Sequence, residues 1–484
     1  MYMTSSQIDG VIHMIKKGTT IILQISMLGY IMIHFITSFY HLPYLELLLP
    51  YFGLSLFVFS IYYVSIKKFK LPLVIFIVAI IVLGVSGEPI FNGMLDGLLV
   101  MREMVGFLAF IPLISWVLRE EPYIEDIISL FYQFVNTSRK FYFGMVGFTQ
   151  IIAYFLLFAS IPMMYQFVNV ILKDQKTLLW KQFKGTALLR GFSMASLWVI
   201  SIPSFIFATE ILGATLWKTI LQGFAIAMIG TMVATLFSMI HEKKSDVPLT
   251  PVIKKNIEKI VDHASSEEVR KRNVIEFAIL FFTLFGTIFF IHGLFHLPLM
   301  LTIPITIVAW IVTFYIVKRR IHKFVFIMKE YVQKEMLFQA YSMSIMLSVG
   351  VLIFSLRKTA FASIVIDGFQ YLQNHIPFIN PLFLLPFIII LFGFFGMGPL
   401  TVMVLVAGIL GEMALPYPPE LLVLSITSGS AISILLSPFI MPVIVLSAEN
   451  KLSSFTNGIK FNWKFALVFY LLVQFYIQMM IFIF

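Results

Sequence analysis

Cysteine is absent from this chain of 484 residues, which excludes disulfides, thiolate metal sites and cysteine nucleophiles together. Charge is scarce as well. Only 12% of the residues are Asp, Glu, Lys or Arg against 60% hydrophobic ones, and the mean hydropathy is +0.96, whereas soluble domains carry about 25% charged residues. The composition is that of an all-α polytopic membrane protein. Also missing are His/Cys/Asp clusters at metal-ligand spacing, a phosphate-binding glycine loop and an assemblable Ser-His-Asp set. These absences argue against an enzyme and against a metal or other cofactor. The net charge of +10 is not a nucleic-acid signal, because Lys and Arg stand in short clusters between apolar runs, as the positive-inside rule describes. A polar start followed by a long apolar run with no small-residue cleavage site speaks against a removable signal peptide.

What is present is a succession of apolar runs. Lys16 and Lys17 precede a first span at about 19–39, the turn at His41 leads to a second ending at Tyr63, and Lys67, Lys68 and Lys70 follow. The N-terminus and that basic loop are therefore placed in the cytoplasm, and the His41 turn outside. Spans at 71–85 and 101–118 come next, with Asp96 between them on the outside. Residues 119–140 space Ile124, Ile127, Ile128, Phe131, Phe134 and Val135 on a helical period with charges between, which reads as an amphipathic helix along the cytoplasmic face. The run 141–172 holds no charge and is followed by Lys173, Lys176, Lys181, Lys184 and Arg190. A hairpin that enters and leaves on the cytoplasmic side reconciles the run with those charges. Spans at 187–212 and 217–240 complete an N-terminal transmembrane half, 1–240. A polar cytoplasmic linker, 241–272, separates it from a C-terminal transmembrane half, 273–484.

The second half repeats the first. Leu113-Ile114-Ser115-Trp116-Val117-Leu118-Arg119 resembles the stretch from Gly350 to Arg357, and the stretch from Phe131 to Asn136 resembles that from Phe369 to Asn374. Pro162 falls opposite Pro399 and Ser193 opposite Ser430, all at an offset of 237 or 238 residues. The charge of the loops gives the second copy the opposite orientation from about residue 336 onward, with its hairpin region at 378–415 on the outer side.

Two matched stretches carry the chemistry. The first, 191–203, holds Ser193, Ser196, Ser201 and Pro203. The second, 428–438, holds Ser428, Gly429, Ser430, Ser433, Ser437 and Pro438. Hydroxyls, glycine and proline in the middle of apolar spans predict discontinuous helices, and lipid tolerates unpaired backbone groups only where they line a wet cavity or a ligand site. Ser160 and Pro162 mark the tip of the first hairpin, and Gly398 with Pro399 the tip of the second.

Inverted repeats, each with a hairpin followed by a broken serine-rich helix, resemble the ion transporter superfamily, the divalent anion/sodium symporters and arsenite permease-like carriers. The resemblance spans about 101–240 and 336–484. It implies a secondary active transporter of a small anionic solute, coupled to a Na⁺ or H⁺ gradient through an elevator-like or rocking motion. The implied site residues are Ser160, Pro162, Ser193, Ser196, Ser201, Gly398, Ser428, Gly429, Ser430, Ser433 and Ser437. The symporters' Ser-Asn-Thr signature is not reproduced, since no asparagine stands beside either serine cluster.

Glu210 and Glu412 are the candidate coupling carboxylates, weighed against service as solvated acids at the membrane interface. Arg102, Arg190 and Arg357 are the candidate counter-charges for an alternative function, a flippase of a lipid-linked phosphate precursor. A non-transporting membrane scaffold, in which the serines only pack helices, is the third class. The expected setting is the cell membrane, with the bilayer and a small solute or ion as partners and no nucleic acid. A homodimer interface and lipid contact account equally well for the 52 Phe.

Overall fold

In a computed structural model the residues 5–132, 137–172, 175–245, 248–261, 267–376, 380–413 and 415–483 are described. Every regular element among them is helical, as hydrocarbon demands of a chain with no water to satisfy its peptide groups. The helices run α1 (Ser5–Phe39), α2 (Pro43–Val64), α3 (Lys70–Val85), α4 (Ile90–Val100) and α5 (Arg102–Phe110). Then come α6 (Ile114–Leu118), α7 (Tyr123–Tyr132), α8 (Ser138–Leu156), α9 (Ser160–Leu172), α10 (Leu178–Ala195), α11 (Pro203–Ile211) and α12 (Leu216–Lys244). After the polar midpoint follow α13 (Leu249–Val261), α14 (Glu267–Phe295), α15 (Leu299–Val317), α16 (Ile321–Glu330), α17 (Ala340–Arg357) and α18 (Phe361–His375). The last are α19 (Pro381–Phe394), α20 (Pro399–Leu410), α21 (Pro419–Leu436), α22 (Met441–Asn450) and α23 (Phe461–Ile483). Nine helical stretches among the described residues are long and apolar enough to cross a membrane, and a tenth arises if α4 and the segment Arg102–Leu118, bent by 41°, count as one. The chain is a multi-pass membrane protein.

It packs into two compact units, and each draws on both sides of the central polar segment: one comprises Met1–Leu113 with Phe290–Gly368, the other Ile114–Phe289 with Phe369–Phe484. The division into two halves and a linker expected from the sequence is therefore not the division by packing. In the first unit α1 and α2 lie antiparallel, with the Ser26 and Ser55 hydroxyls 2.6 Å apart and the Phe52 ring over Gly29. Helix α17 crosses α4 at Gly97 and Gly350, close enough that a methyl group on Gly97 would stand 2.6 Å from Val351 Cα. The Ser348 hydroxyl reaches the Pro72 carbonyl of α3 at 2.9 Å, and the Tyr30 hydroxyl that of Leu98 at 2.7 Å.

The second unit contains every serine motif. Helices α8 and α10 run in the same direction: Tyr142 OH donates to Thr186 Oγ1 at 3.0 Å, Thr149 packs on Gly191, and the Ser201 hydroxyl, past the end of α10, donates to the Tyr154 carbonyl. Helices α19 and α21 are paired in the same sense, from the Ser425 hydroxyl on Leu382 O (2.9 Å) through Gly429 against Pro386 to the Ser437 hydroxyl on Gly393 O (2.8 Å). The 3-10 turn Leu157–Ala159 between α8 and α9 opens on Leu157 at φ +48°, and the turn before α20 holds Gly396 at φ +81°.

Within the segment expected as a cytoplasmic linker, α13 packs into this unit. Leu249 and Ile253 of α13 are buried, Thr250 accepts from Ser138 N (3.1 Å), and Asn256 donates to Ile171 O (2.9 Å). Helix α7 differs from a surface helix in the same way. Tyr123, Ile124 and Asp126 are buried, Tyr123 OH donates to Glu276 (2.6 Å), and Asn273 donates to Asp126 (2.6 Å); Phe134 and Val135 lie outside the described residues. Facing polar residues on α14 bury one side of the first turn of α7, while Glu125 stays exposed.

Candidate functional site

Both serine stretches interrupt their helices. The first interruption, residues 196–202, separates α10 from α11, and the second, residues 437–440, separates α21 from α22. In each case the second half-helix restarts on a proline in its first turn with no side chain capping its N-terminus, behind Ile202 in α11 and behind Ile440 in α22. The side chains of Ile202 and Ile440 have no oxygen to offer; their carbonyls take the N–H groups of Phe205 and Ile206 and of Val443 and Ile444, and the positive end of each half-helix dipole is left without a side-chain cap. Helices α9 and α20 start 239 residues apart, and α11 and α22 start 238 apart. Pro399 opens α20, however, while Pro162 is the third residue of α9, so the two prolines are not strict counterparts.

Each interruption is braced alike. One serine fastens it to the helix ahead of the matching turn, Ser201 on Tyr154 O and Ser437 on Gly393 O. A glycine of the following segment then closes over a carbonyl freed at the break. A methyl group on Gly223 of α12 would stand 1.9 Å from Leu197 O, and one on Gly458, in the π-helical turn Thr456–Lys460, 2.8 Å from Leu436 O. Trp198 in the first break is fixed through its indole N–H to Gln150 Oε1 (3.0 Å), whose amide donates to Thr231 (3.0 Å).

The two broken helix pairs, α10 with α11 and α21 with α22, run in opposite directions. Gly185, early in α10, abuts Leu446 and Asn450, late in α22. At the other end Gly411, just past α20, abuts Ile211, the last residue of α11, and Thr215 N donates to Glu420 Oε1 at the start of α21 (3.2 Å). Helices α10 and α21 pack together between these ends.

The predicted site residues divide by what their hydroxyls do. All the serines among them are buried. Ser160, Ser193, Ser196 and Ser428 donate to carbonyls three residues back, Leu157, Arg190, Ser193 and Ser425, at 2.6–2.9 Å, which is ordinary helix behaviour. Ser201 and Ser437 fasten the breaks. Ser430 Oγ and Ser433 Oγ have no hydrogen-bond partner among the described residues. Gly429 serves packing, since a methyl group there would meet Pro386 Cα at 2.7 Å, whereas Gly398 at the start of α20 has open space around it. Pro162 is half-buried in the first turn of α9. Glu210 is half-buried in the last turn of α11, and Glu412 is exposed just beyond α20, so both stand where the ends of those helices meet, away from the breaks.

Sequence reasoning missed a polar network one turn before Ser193. Arg190 is 4% exposed. Its Nε donates to Asn462 Oδ1 (2.9 Å), Nη1 to Tyr142 OH (3.1 Å) and Ala234 O (3.4 Å), and Nη2 to Phe461 O (3.3 Å). The guanidinium also lies 4.5 Å from the Phe465 ring centre. Asn462 donates to Asn457 O (2.8 Å), and Asn457 exchanges reciprocal amide bonds with Asn450 (2.7 and 3.0 Å). The available signal was three asparagines within a basic stretch that reads as a cytoplasmic loop; buried, they tie the end of α22 and the start of α23 to α10. Among the described residues no group of three His, Cys, Asp or Glu side chains is placed to hold a metal. No protein-family model and no curated protein matches the sequence.

Proposed function

We propose that the protein is a secondary active transporter of a small anionic solute, driven by a Na⁺ or H⁺ gradient across the cell membrane. One observation carries this reading: two broken crossings, braced alike and running in opposite directions, each present an uncapped half-helix N-terminus, and the second adds two buried hydroxyls without partners. Burying a hydroxyl unpaired costs about 1–3 kcal/mol, and open N–H groups in a membrane are tolerated only beside water or a ligand. An anion satisfies the N-termini, and a bound solute or Na⁺ satisfies the hydroxyls and freed carbonyls.

The re-entrant hairpins belong to the same proposal. Because α8 and α10 are parallel, the intervening α9 has to run back. Its far end and the start of α8 both bond to α13, at residues Asn256 and Thr250, which are about 9 Å apart along a helix, whereas 35 unbroken helical residues would separate them by about 52 Å. The parallel pair α19 and α21 makes the same demand on α20. Two such units in opposite senses give alternating access its usual symmetry, and the positive-inside rule places α13 on the cytoplasmic side.

Uptake of small organic and inorganic anions into proteoliposomes, under an imposed Na⁺ or H⁺ gradient, tests the reading. Ser430→Ala and Ser433→Ala are expected to fold normally and to lower the rate of uptake at least tenfold. Unchanged uptake in both folded variants refutes the site.

A further inference from the structure

Between α10, the end of α12 and the start of α23, the second unit holds a cavity of about 260 Å³ that the transport reading does not use. Its walls include Gln182, Thr186 and Arg190 of α10, His241 and Glu242 at the end of α12, and Lys460 and Lys464 around the start of α23. Four observations bear on its occupant. Arg190 is buried and all four of its hydrogen bonds go to neutral oxygens, and a buried cation without an anionic partner is costly in lipid. Lys460 and Lys464, four residues apart, bring two more positive charges to the same wall. The single carboxylate present, Glu242, is engaged by the Ser138 hydroxyl at 2.6 Å and by Leu249 N at 3.2 Å, and one acid does not balance three bases. Finally, the cavity lies at the end of the span Leu216–Lys244 and the start of the span Thr456–Ile483, with the half-exposed Trp463 in its wall, which is the position and the aromatic marker of the membrane–water boundary.

We infer that this cavity binds a phosphate-bearing anion, which completes the surroundings of Arg190 as its missing negative partner. The volume is below the roughly 300–1,000 Å³ of sites for drug-sized ligands and suits a single phosphate group with a few waters. A basic pocket between helices at the interface is also what an anionic lipid headgroup requires. The chemistry recognised is the same whether the phosphate is soluble or carried by a lipid, and Arg190 supplies fork geometry while the lysines supply point charges.

The test uses the full chain in nanodiscs of phosphatidylcholine. Thermal unfolding is followed while inorganic phosphate is added at constant ionic strength, and separately while phosphatidylglycerol replaces part of the phosphatidylcholine, with retained lipid counted by native mass spectrometry. Stabilisation by both probes, by phosphatidylglycerol alone or by phosphate alone supports the site and distinguishes its source. Arg190→Gln removes four buried bonds and is prone to misfold, so the deciding variant is the exposed pair Lys460→Gln/Lys464→Gln, expected to fold and to weaken the response roughly 30-fold, about fivefold per lysine. Absence of any response to both probes, or a double variant that binds as tightly as the parent, overturns the inference. Because the lysine pair is read out by binding and the serine pair by uptake, this failure is separable from a failure of anion uptake.

Discussion

Substituting Gly223 by alanine tests the closest approach of a glycine to backbone in the second unit. Gly223 lies inside α12, where alanine ordinarily gains about 1 kcal/mol over glycine through helix propensity. The new methyl group would stand 1.9 Å from the carbonyl oxygen of Leu197 and 2.8 Å from its carbon, well inside contact distance, and the opposing atoms are backbone held in the break between α10 and α11. Either α12 moves away or the break is displaced, and forced overpacking of this kind costs about 1–3 kcal/mol, which outweighs the propensity gain. Gly147 is the internal control: it too is inside a helix of this unit, α8, and nothing lies within 4 Å of its added methyl group. Gly147→Ala is therefore expected to raise the unfolding temperature by a few degrees and Gly223→Ala to lower it, measured by intrinsic tryptophan fluorescence in one detergent. Uptake should fall with Gly223→Ala, because the displaced residues sit at the break. If Gly223→Ala proves as stable as Gly147→Ala, α12 does not close over Leu197 and the bracing of the first break is misread.

Ser201→Ala removes the bond to Tyr154 O, and Ser437→Ala removes the bond to Gly393 O together with the longer one accepted from Phe439 N; each should cost at least about 1 kcal/mol, measured as a lowered melting temperature, and loss from only one of them would break the equivalence of the two breaks. Gly396→Ala, at φ +81°, should destabilise by about 1 kcal/mol, while Leu157→Gly, which relieves φ +48°, should not; equal stabilities would refute the left-handed turns. Asn457→Leu strands the amide of Asn450 and should cost about 2–3 kcal/mol in the same assay. Because the chain has no cysteine, single cysteines report topology without background: labelling from outside is expected at His41→Cys and Asn374→Cys and not at Lys255→Cys or Lys451→Cys, and the reverse pattern at Asn374 would refute the inverted orientation of the second copy.

The membrane class and most of the helix positions were legible in the sequence because length, hydropathy and lysine placement act locally. So were the two breaks, since proline and clustered hydroxyls inside an apolar run have few other uses. The role of each serine was not legible. Ser193 and Ser430 match in sequence register, yet Ser193 turns back to its own helix and Ser430 has no partner, a distinction made by which neighbouring helix supplies a carbonyl. The polar stretches around Asp126, Asn256 and Asn457 were misleading for the opposite reason. Charge and amide content read as contact with water, whereas Asn273, Ile171 O and Asn450 meet them inside the protein.

Arg190 ties these strands together physically. A charged side chain within a largely apolar chain is retained only where its surroundings compensate it, and here the compensation comes from the Tyr142 hydroxyl, the Asn462 amide and two carbonyls, drawn from α8, α23, α12 and the residue that opens α23. Those helices are therefore fastened to α10 one turn before its first break, so the first half of that crossing is rigid where the second half begins anew. A rigid first half is what allows the open N-terminus of α11 to hold one position, and a preorganised dipole binds an anion more strongly than one that must be ordered on binding. The same guanidinium, facing a cavity with two lysines, then leaves positive charge in excess on the side where the spans end. Under the proposed anion site, structural fastening and anion attraction fall to one residue, which is why replacing Arg190 alone would blur the two and why the lysine pair separates them.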